Sequence, residues 1–195
     1  MKRVTLSRNP YGTGNLIAGK YTFTEGVTVL VGKNGSGKST VLRMLEPYLA
    51  KKGIVVEKYD NLHDGGNHAL QAAVWEGELD AVFKRAFHSE GEQIITNIGD
   101  FVMRIGKRIR AMDEGQELWV LGDAMDSGLS INNVLQLKNV MEFMAADAKR
   151  KKIKFYVVVS ANTFALARNA RCIDVTTGTK KVFLTYSQFE DFIVG

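Results

Sequence analysis

The sequence predicts an α/β fold in which a mostly parallel central sheet is flanked by helices and carries an added antiparallel β edge. Three observations lead to it. ELWVLGD (Glu117–Asp123) and KFYVVVS (Lys154–Ser160) are nearly continuous apolar runs, as expected of strands buried on both faces of a parallel sheet, and a helical pattern separates them. Near the start of the chain a glycine-rich loop joins an apolar strand to an amphipathic helix. Strand-like and helix-like segments then alternate to the end.

The elements follow in order. Apolar alternation in KRVTLS and KYTFTEGVTVLVG predicts strands, the second group closing on the loop at Gly32; this early β-rich stretch is the expected antiparallel edge. Val41, Leu42, Met44, Leu45, Tyr48 and Leu49 recur at helical spacing. GIVVEKY reads as the next strand, and residues 69–87 as a helix. A longer helix after Ser89 gathers Ile94, Ile95, Ile98, Phe101, Val102, Ile105 and Ile109 into one core-facing stripe. A helix over residues 130–152 links the two buried runs, and the tail adds RCIDV, KKVFL and a short helix over 186–193.

With 195 residues, 45% hydrophobic and 24% charged, the chain reads as one folded domain spanning residues 1–195. Two prolines, no linker-like tract and no fixed-period repeat give no boundary inside it. The net charge of +5 permits a polyanionic partner without requiring one. Cys172, the single cysteine, cannot form an internal disulfide, and no apolar signal run follows Met1, so a cytoplasmic location is expected. No stretch approaches the roughly twenty apolar residues of a membrane helix, so no membrane insertion is expected.

GKNGSGKS, residues 32–39, fits G-x-x-x-x-G-K-[ST] at every fixed position and sits between a strand and a helix, the context the motif requires. Gly32, Gly35 and Gly37 let the backbone of the loop, with Asn34 and Ser36, converge its N–H groups on phosphate oxygens at the positive end of a helix that opens with Lys38, Ser39 and Thr40. Lys38 is expected to bridge the β- and γ-phosphates and Ser39 to ligate Mg²⁺. Binding of ATP or GTP follows. Asp123, ending LWVLGD, is placed to hold the same Mg²⁺ through water, although an aspartate there also starts ordinary turns. SEGEQ, residues 89–93, opens the long helix: Ser89 and Glu92 form a capping box, and with Gly91 the same geometry makes an anion site.

In this order GKNGSGKST, SEGEQ and GDAMDSGLS resemble the ATP-binding cassette (ABC) ATPases, matching their Walker A, signature and Walker B plus D-loop motifs over essentially the whole chain. FTEGVTVLVGKNGSGKST is similar to the SMC and RecF-like branch. The resemblance implies a homodimer with two ATP molecules between two heads, Ser89 of each chain touching the γ-phosphate held by the other, and residues 127–130 along the interface. It implies an adenine contact near NPYGTGN, for which Tyr11 is the candidate, and polar contacts from Asp60, Asn61 or Gln71. It also makes DNA a candidate partner through KRIR (107–110) and KRKKIK (149–154), runs that equally suit solvated helix C-termini. SMC heads carry long coiled-coil arms between Walker A and signature; no heptad run separates Lys38 from Ser89, which implies a head without arms.

Two departures fall at the hydrolytic end. Ala124 occupies the place of the family's catalytic glutamate, and an alanine cannot polarise water; loss of a positioned base costs on the order of 10² to 10⁴ in rate. Near Ala161, where the switch histidine belongs, the neighbouring polar group is Asn162, whose amide can bond a phosphate or water but does not titrate. Asp126 is a candidate replacement base and also an ordinary turn acid. A slow ATPase and a non-hydrolysing ATP switch that recruits DNA or a protein both fit. His63, His68 and His88 lack zinc-ligand spacing with Cys172.

Overall fold

A computed structural model describes residues 1–7, 17–60 and 90–195. Its main sheet has six strands. In chain order these are β3 (Gly26–Val31), β4 (Val55–Asp60), β5 (Glu117–Asp123), β6 (Lys154–Ser160), β7 (Cys172–Asp174) and β8 (Lys180–Lys181), after β1 (Lys2–Thr5) and β2 (Lys20–Phe23). The spatial order is β4-β5-β6-β3-β7-β8; all neighbours run parallel except β7 and β8. The predicted mixed α/β fold is thus observed. The antiparallel edge is β8, whereas β1 and β2 form a separate two-stranded antiparallel sheet. The run that reads as continuous from Lys20 to Val31 breaks at Gly26, whose φ of 91° turns the chain between the two sheets.

Five helices accompany the strands among the described residues: α1 (Lys38–Ala50), α2 (Glu90–Ala111), α3 (Ile131–Arg150), α4 (Phe164–Ala167) and α5 (Tyr186–Val194). The predicted helix over residues 69–87 lies outside the described residues.

Alternation along each strand divides the core into two layers. One face of the sheet sends Leu30, Trp119, Leu121, Tyr156, Val158 and Ile173 against Val41, Leu42, Leu45 and Leu49 of α1 and against Val4, Tyr21 and Phe23 of the small sheet. The other sends Val29, Val31, Tyr59, Leu118, Val120, Val157 and Val159 against the predicted stripe of α2, with Ile94, Ile98, Phe101, Ile105 and Ile109 buried, and against Val134, Leu137, Met141 and Met144 of α3. Each fully buried aliphatic or aromatic side chain contributes about 1.5–3 kcal/mol. The strands between these layers are therefore rigid supports for whatever sits at their C-terminal ends.

Ser130 caps α3, accepting a hydrogen bond from the Asn133 N–H at 3.3 Å. On the α2 side, Glu57 of β4 is buried and accepts from Arg104 at 3.2 Å and Arg108 at 3.1 Å, so α2 is tied to the sheet by charge as well as by its apolar stripe. No helix among the described residues is long and apolar enough to cross a membrane.

Candidate functional site

The loop between β3 and α1 takes its shape from its glycines. Gly32, Gly35 and Gly37 have φ of 155°, 77° and 99°. A Cβ on Gly32 would collide with the Ser36 hydroxyl, and one on Gly37 would lie 2.6 Å from a methyl of Ile17. At Gly35 there is room, and only the backbone conformation calls for glycine. The Ser36 N–H donates to the Lys33 carbonyl at 3.1 Å, closing the curl, and the Val41 N–H bonds the Gly37 carbonyl at 2.9 Å, starting the helix. Lys38 folds back over the loop and donates to the carbonyls of Gly32 at 2.8 Å and Lys33 at 3.3 Å. It is only 8% exposed. Desolvation lowers its pKa, opposed by the charges of Asp123 and Asp126, which places those two carboxylates in its field. Ser39 and Thr40 are half-buried in the first turn of α1, and Asn34 is exposed at the crest.

The facing wall is the C-terminal end of β5 and β6. The Ser160 hydroxyl donates to Asp123 Oδ1 at 2.7 Å and accepts from the Ala124 N–H at 2.8 Å. One buried hydroxyl thus orients the aspartate and holds the backbone just beyond it. Ala124 adopts φ of 50°, the left-handed region, and its carbonyl accepts from the Ser127 N–H at 3.0 Å. The turn continues into Met125, which is buried and packs where any side chain on Gly122 would stand. Gly128, at φ of 77°, lies so near Ile94 of α2 that a Cβ would come within 2.8 Å of it. The turn after β5 therefore touches the helix that SEGEQ opens.

Asp126 is 1% exposed. Its Oδ2 accepts from the N–H groups of Asn162 at 2.9 Å and Thr163 at 2.7 Å and from the Thr163 hydroxyl at 2.8 Å; its Oδ1 is buried without a hydrogen-bond partner. Burial raises the pKa of this carboxyl, and the three donors oppose the rise. The Asn162 amide donates to the Ser127 hydroxyl at 2.9 Å. Turn and switch segment are so joined twice, at Asp126 and at Ser127, while Ala161 between them is buried.

Lys38, Asp123, Asp126 and Asn162 thus gather at one edge of the sheet, with Ser39 and the glycine loop opposite. Gly91 and Glu92 fall in the first turn of α2. Ser89 and Tyr11 lie outside the described residues, as do Asn61, Gln71 and the three histidines. Of the basic runs, Arg108 is engaged with Glu57, Arg150 pairs with Asp147 at 3.2 Å and Lys152 with Glu114 at 2.8 Å, all near helix C-termini.

Sequence reasoning missed Ser160 and Lys33. Ser160 is the polar residue closing an otherwise apolar strand, a signal readable in FYVVVS. Lys33 donates to the carbonyls of Val194 at 3.2 Å and Gly195 at 2.8 Å at the end of α5, a contact that no local pattern announces.

A parallel sheet flanked by helices, with a glycine-turned loop opening a helix, a buried lysine over it and an aspartate at the tip of a neighbouring strand, defines a P-loop nucleotide-binding protein. Residues 20–161 match the family model described as ABC transporter, and the chain belongs to that family; it is an ATP-binding ATPase of the ABC type. No curated protein matches the chain.

Proposed function

We propose that residues 1–195 are a single ABC-type head that dimerises around ATP and hydrolyses it slowly with Mg²⁺. The observation that carries this is a buried Lys38 folded over the glycine loop within the field of Asp123, a carboxylate held in orientation by Ser160. In this reading the loop N–H groups and Lys38 bind the β- and γ-phosphates, with Asn34, Ser36 and Thr40 at the loop and Tyr11 near adenine. The partner copy supplies Ser89, Gly91 and Glu92 to the γ-phosphate. Ser39 and Asp123 are all-oxygen ligands of the hard type that Mg²⁺ prefers, and they hold it; when bound, that ion neutralises charge on the phosphate oxygens. Asp126 and Asn162 keep the turn after β5 in register with the segment after β6.

The composite site needs two chains, so phosphate release should rise more steeply than linearly with protein concentration. A linear dependence would remove the dimer from the reaction.

A second reading, a non-hydrolysing ATP switch, is favoured by Ala124 and Ala161, since both side chains lack a proton acceptor. ATP would then close the pair and recruit DNA or a protein, and by linkage that partner would tighten ATP binding by the same factor. FTEGVTVLVGKNGSGKST and the lack of heptads between Lys38 and Ser89 support an arm-less head of the SMC and RecF-like branch. Such a head would act in the cytoplasm, in DNA metabolism or phage defence.

A further inference from the structure

We propose that α5 carries nucleotide occupancy from the phosphate loop to the segment after β6, with Lys33 as the positioning residue through which the loop grips the helix. The inference rests on nucleotide binding at the loop and is the same on the hydrolysing and the switch readings.

The helix reaches from one wall of the site to the other. Nine residues at a rise of 1.5 Å make α5 about 13 Å long. Its C-terminal end meets the phosphate loop, where Lys33 Nζ donates to the carbonyls of Val194 at 3.2 Å and Gly195 at 2.8 Å. Carbonyls at a helix C-terminus have no intrahelical partner and carry the negative end of the dipole, so a lysine suits them. Its first turn meets the segment after β6. The Tyr186 ring stands edge-on to Phe164 with centroids 5.9 Å apart, and the Phe189 ring lies 5.9 Å from Phe164 as well. Phe164 directly follows Thr163, whose N–H and hydroxyl both hold Asp126.

Position 33 is an open place in G-x-x-x-x-G-K-[ST], so phosphate binding by itself does not call for a lysine there. The residue is nevertheless built into the loop. Its carbonyl accepts from the Ser36 N–H at 3.1 Å, closing the curl, and from Lys38 Nζ at 3.3 Å. A phosphate that draws on the Lys38 donors therefore acts on the residue whose side chain holds α5.

At the other end the helix is stiff enough to pass a displacement on. Thr185 and Gln188 form a capping box, and Phe189 is buried with its ring 5.3 Å from that of Phe183. Beside these rings lies a cleft of about 550 Å³ lined by Asn162, Thr163, Phe164, Tyr186 and Phe189. Rings fix α5 to Phe164 while the cleft leaves room beside them, so a small shift of the helix changes how Phe164, and with it Thr163, is held.

Hydrogen–deuterium exchange with and without ADP and Mg²⁺ tests this in the parent, Lys33→Ala and Lys33→Arg, with ADP affinity measured in each by isothermal titration. ADP is the probe because it lacks the γ-phosphate, the group that would touch Asn162 directly. In the parent, ADP should slow exchange over residues 186–194 and 162–165 by about two- to fivefold, the range expected of one lysine bonded to a helix C-terminus. Lys33→Ala should bind ADP within about fivefold of the parent and keep the protection of residues 32–39, yet lose it over both distant segments. Lys33→Arg, which restores a donor, should regain it. Protection over 186–194 and 162–165 that persists in Lys33→Ala overturns the proposal. So does a parent that binds ADP with no change over 186–194. A parent that binds neither ADP nor ATP overturns the nucleotide reading itself, which is visible without any variant.

Discussion

The phosphate loop and the tips of β5 and β6 face each other across one site and are built on opposite principles. The loop works through backbone: glycines at positive φ aim its N–H groups, and one lysine supplies charge. Any sequence with those residues in that order and context makes it. The opposite wall works through side chains that converge from separate strands, and there Ala124 and Ala161, where the resemblance implies the family's glutamate and histidine, sit in a hydrogen-bonded frame of Asp123, Ser160, Asp126 and Thr163. On the switch reading, nucleotide binding and hydrolysis separate in this molecule, since the bonded frame is present where both side chains are alanine.

The sharpest way to break this comparison is to return the missing base. Ala124→Glu should raise single-turnover hydrolysis by about 10²-fold or more, the usual worth of a positioned base. The left-handed backbone costs a glutamate no more than it costs the alanine already there. An unchanged rate would mean that the wall lacks more than an acceptor. Next comes the loop. Lys38→Ala removes charge-assisted bonds to phosphate and should weaken ATP binding by about 10²-fold, read by isothermal titration. Affinity within a few-fold of the parent would show that the backbone alone suffices.

Smaller effects test the frame. Asp126→Ala deprives the Asn162 and Thr163 N–H groups of their acceptor and should cost about 2 kcal/mol in urea denaturation, with Asp126→Asn milder because an amide oxygen still accepts. Ser160→Ala should cost about 1 kcal/mol and loosen Asp123, seen as weaker Mg²⁺ dependence of ATP binding. If stability holds while Mg²⁺ dependence falls, the hydroxyl serves the site more than the fold.

The smallest effect belongs to the supporting strands. Burial pushes the Cys172 thiol from 9.0 up to about 12. The protonated thiol is therefore the form the fold favours; its contribution is complete below about pH 9 and is lost as pH rises towards 12. Stability of the parent should fall more steeply with alkaline pH than that of Cys172→Ala. Parallel slopes would place the thiol nearer to solvent than its burial indicates.

What the sequence discloses and what it hides divide along the same line. The buried strands, the α2 stripe and the loop are legible because each is a local pattern: a run, a period or a motif. The separate β1–β2 sheet is hidden because one glycine dihedral at Gly26 redirects the chain. Ser160 is hidden for a different reason. Its role arises from strand adjacency, β6 beside β5, and adjacency is decided by topology that no window of sequence contains. Asp126 was visible as a carboxylate in a turn, and only the position of Asn162 and Thr163 in space reveals its donors.

The strand order has a consequence for how the molecule comes into being. β3, which leads into the phosphate loop, has no neighbour near it in sequence: its partners are β6 and β7, residues 154–160 and 172–174. During synthesis its unpaired edges wait until most of the chain has been made, and such long-range closure makes folding slow. The segment that binds nucleotide is thus translated before the strands that secure it, so ATP added to a ribosome-stalled chain ending before residue 154 should find nothing to hold it.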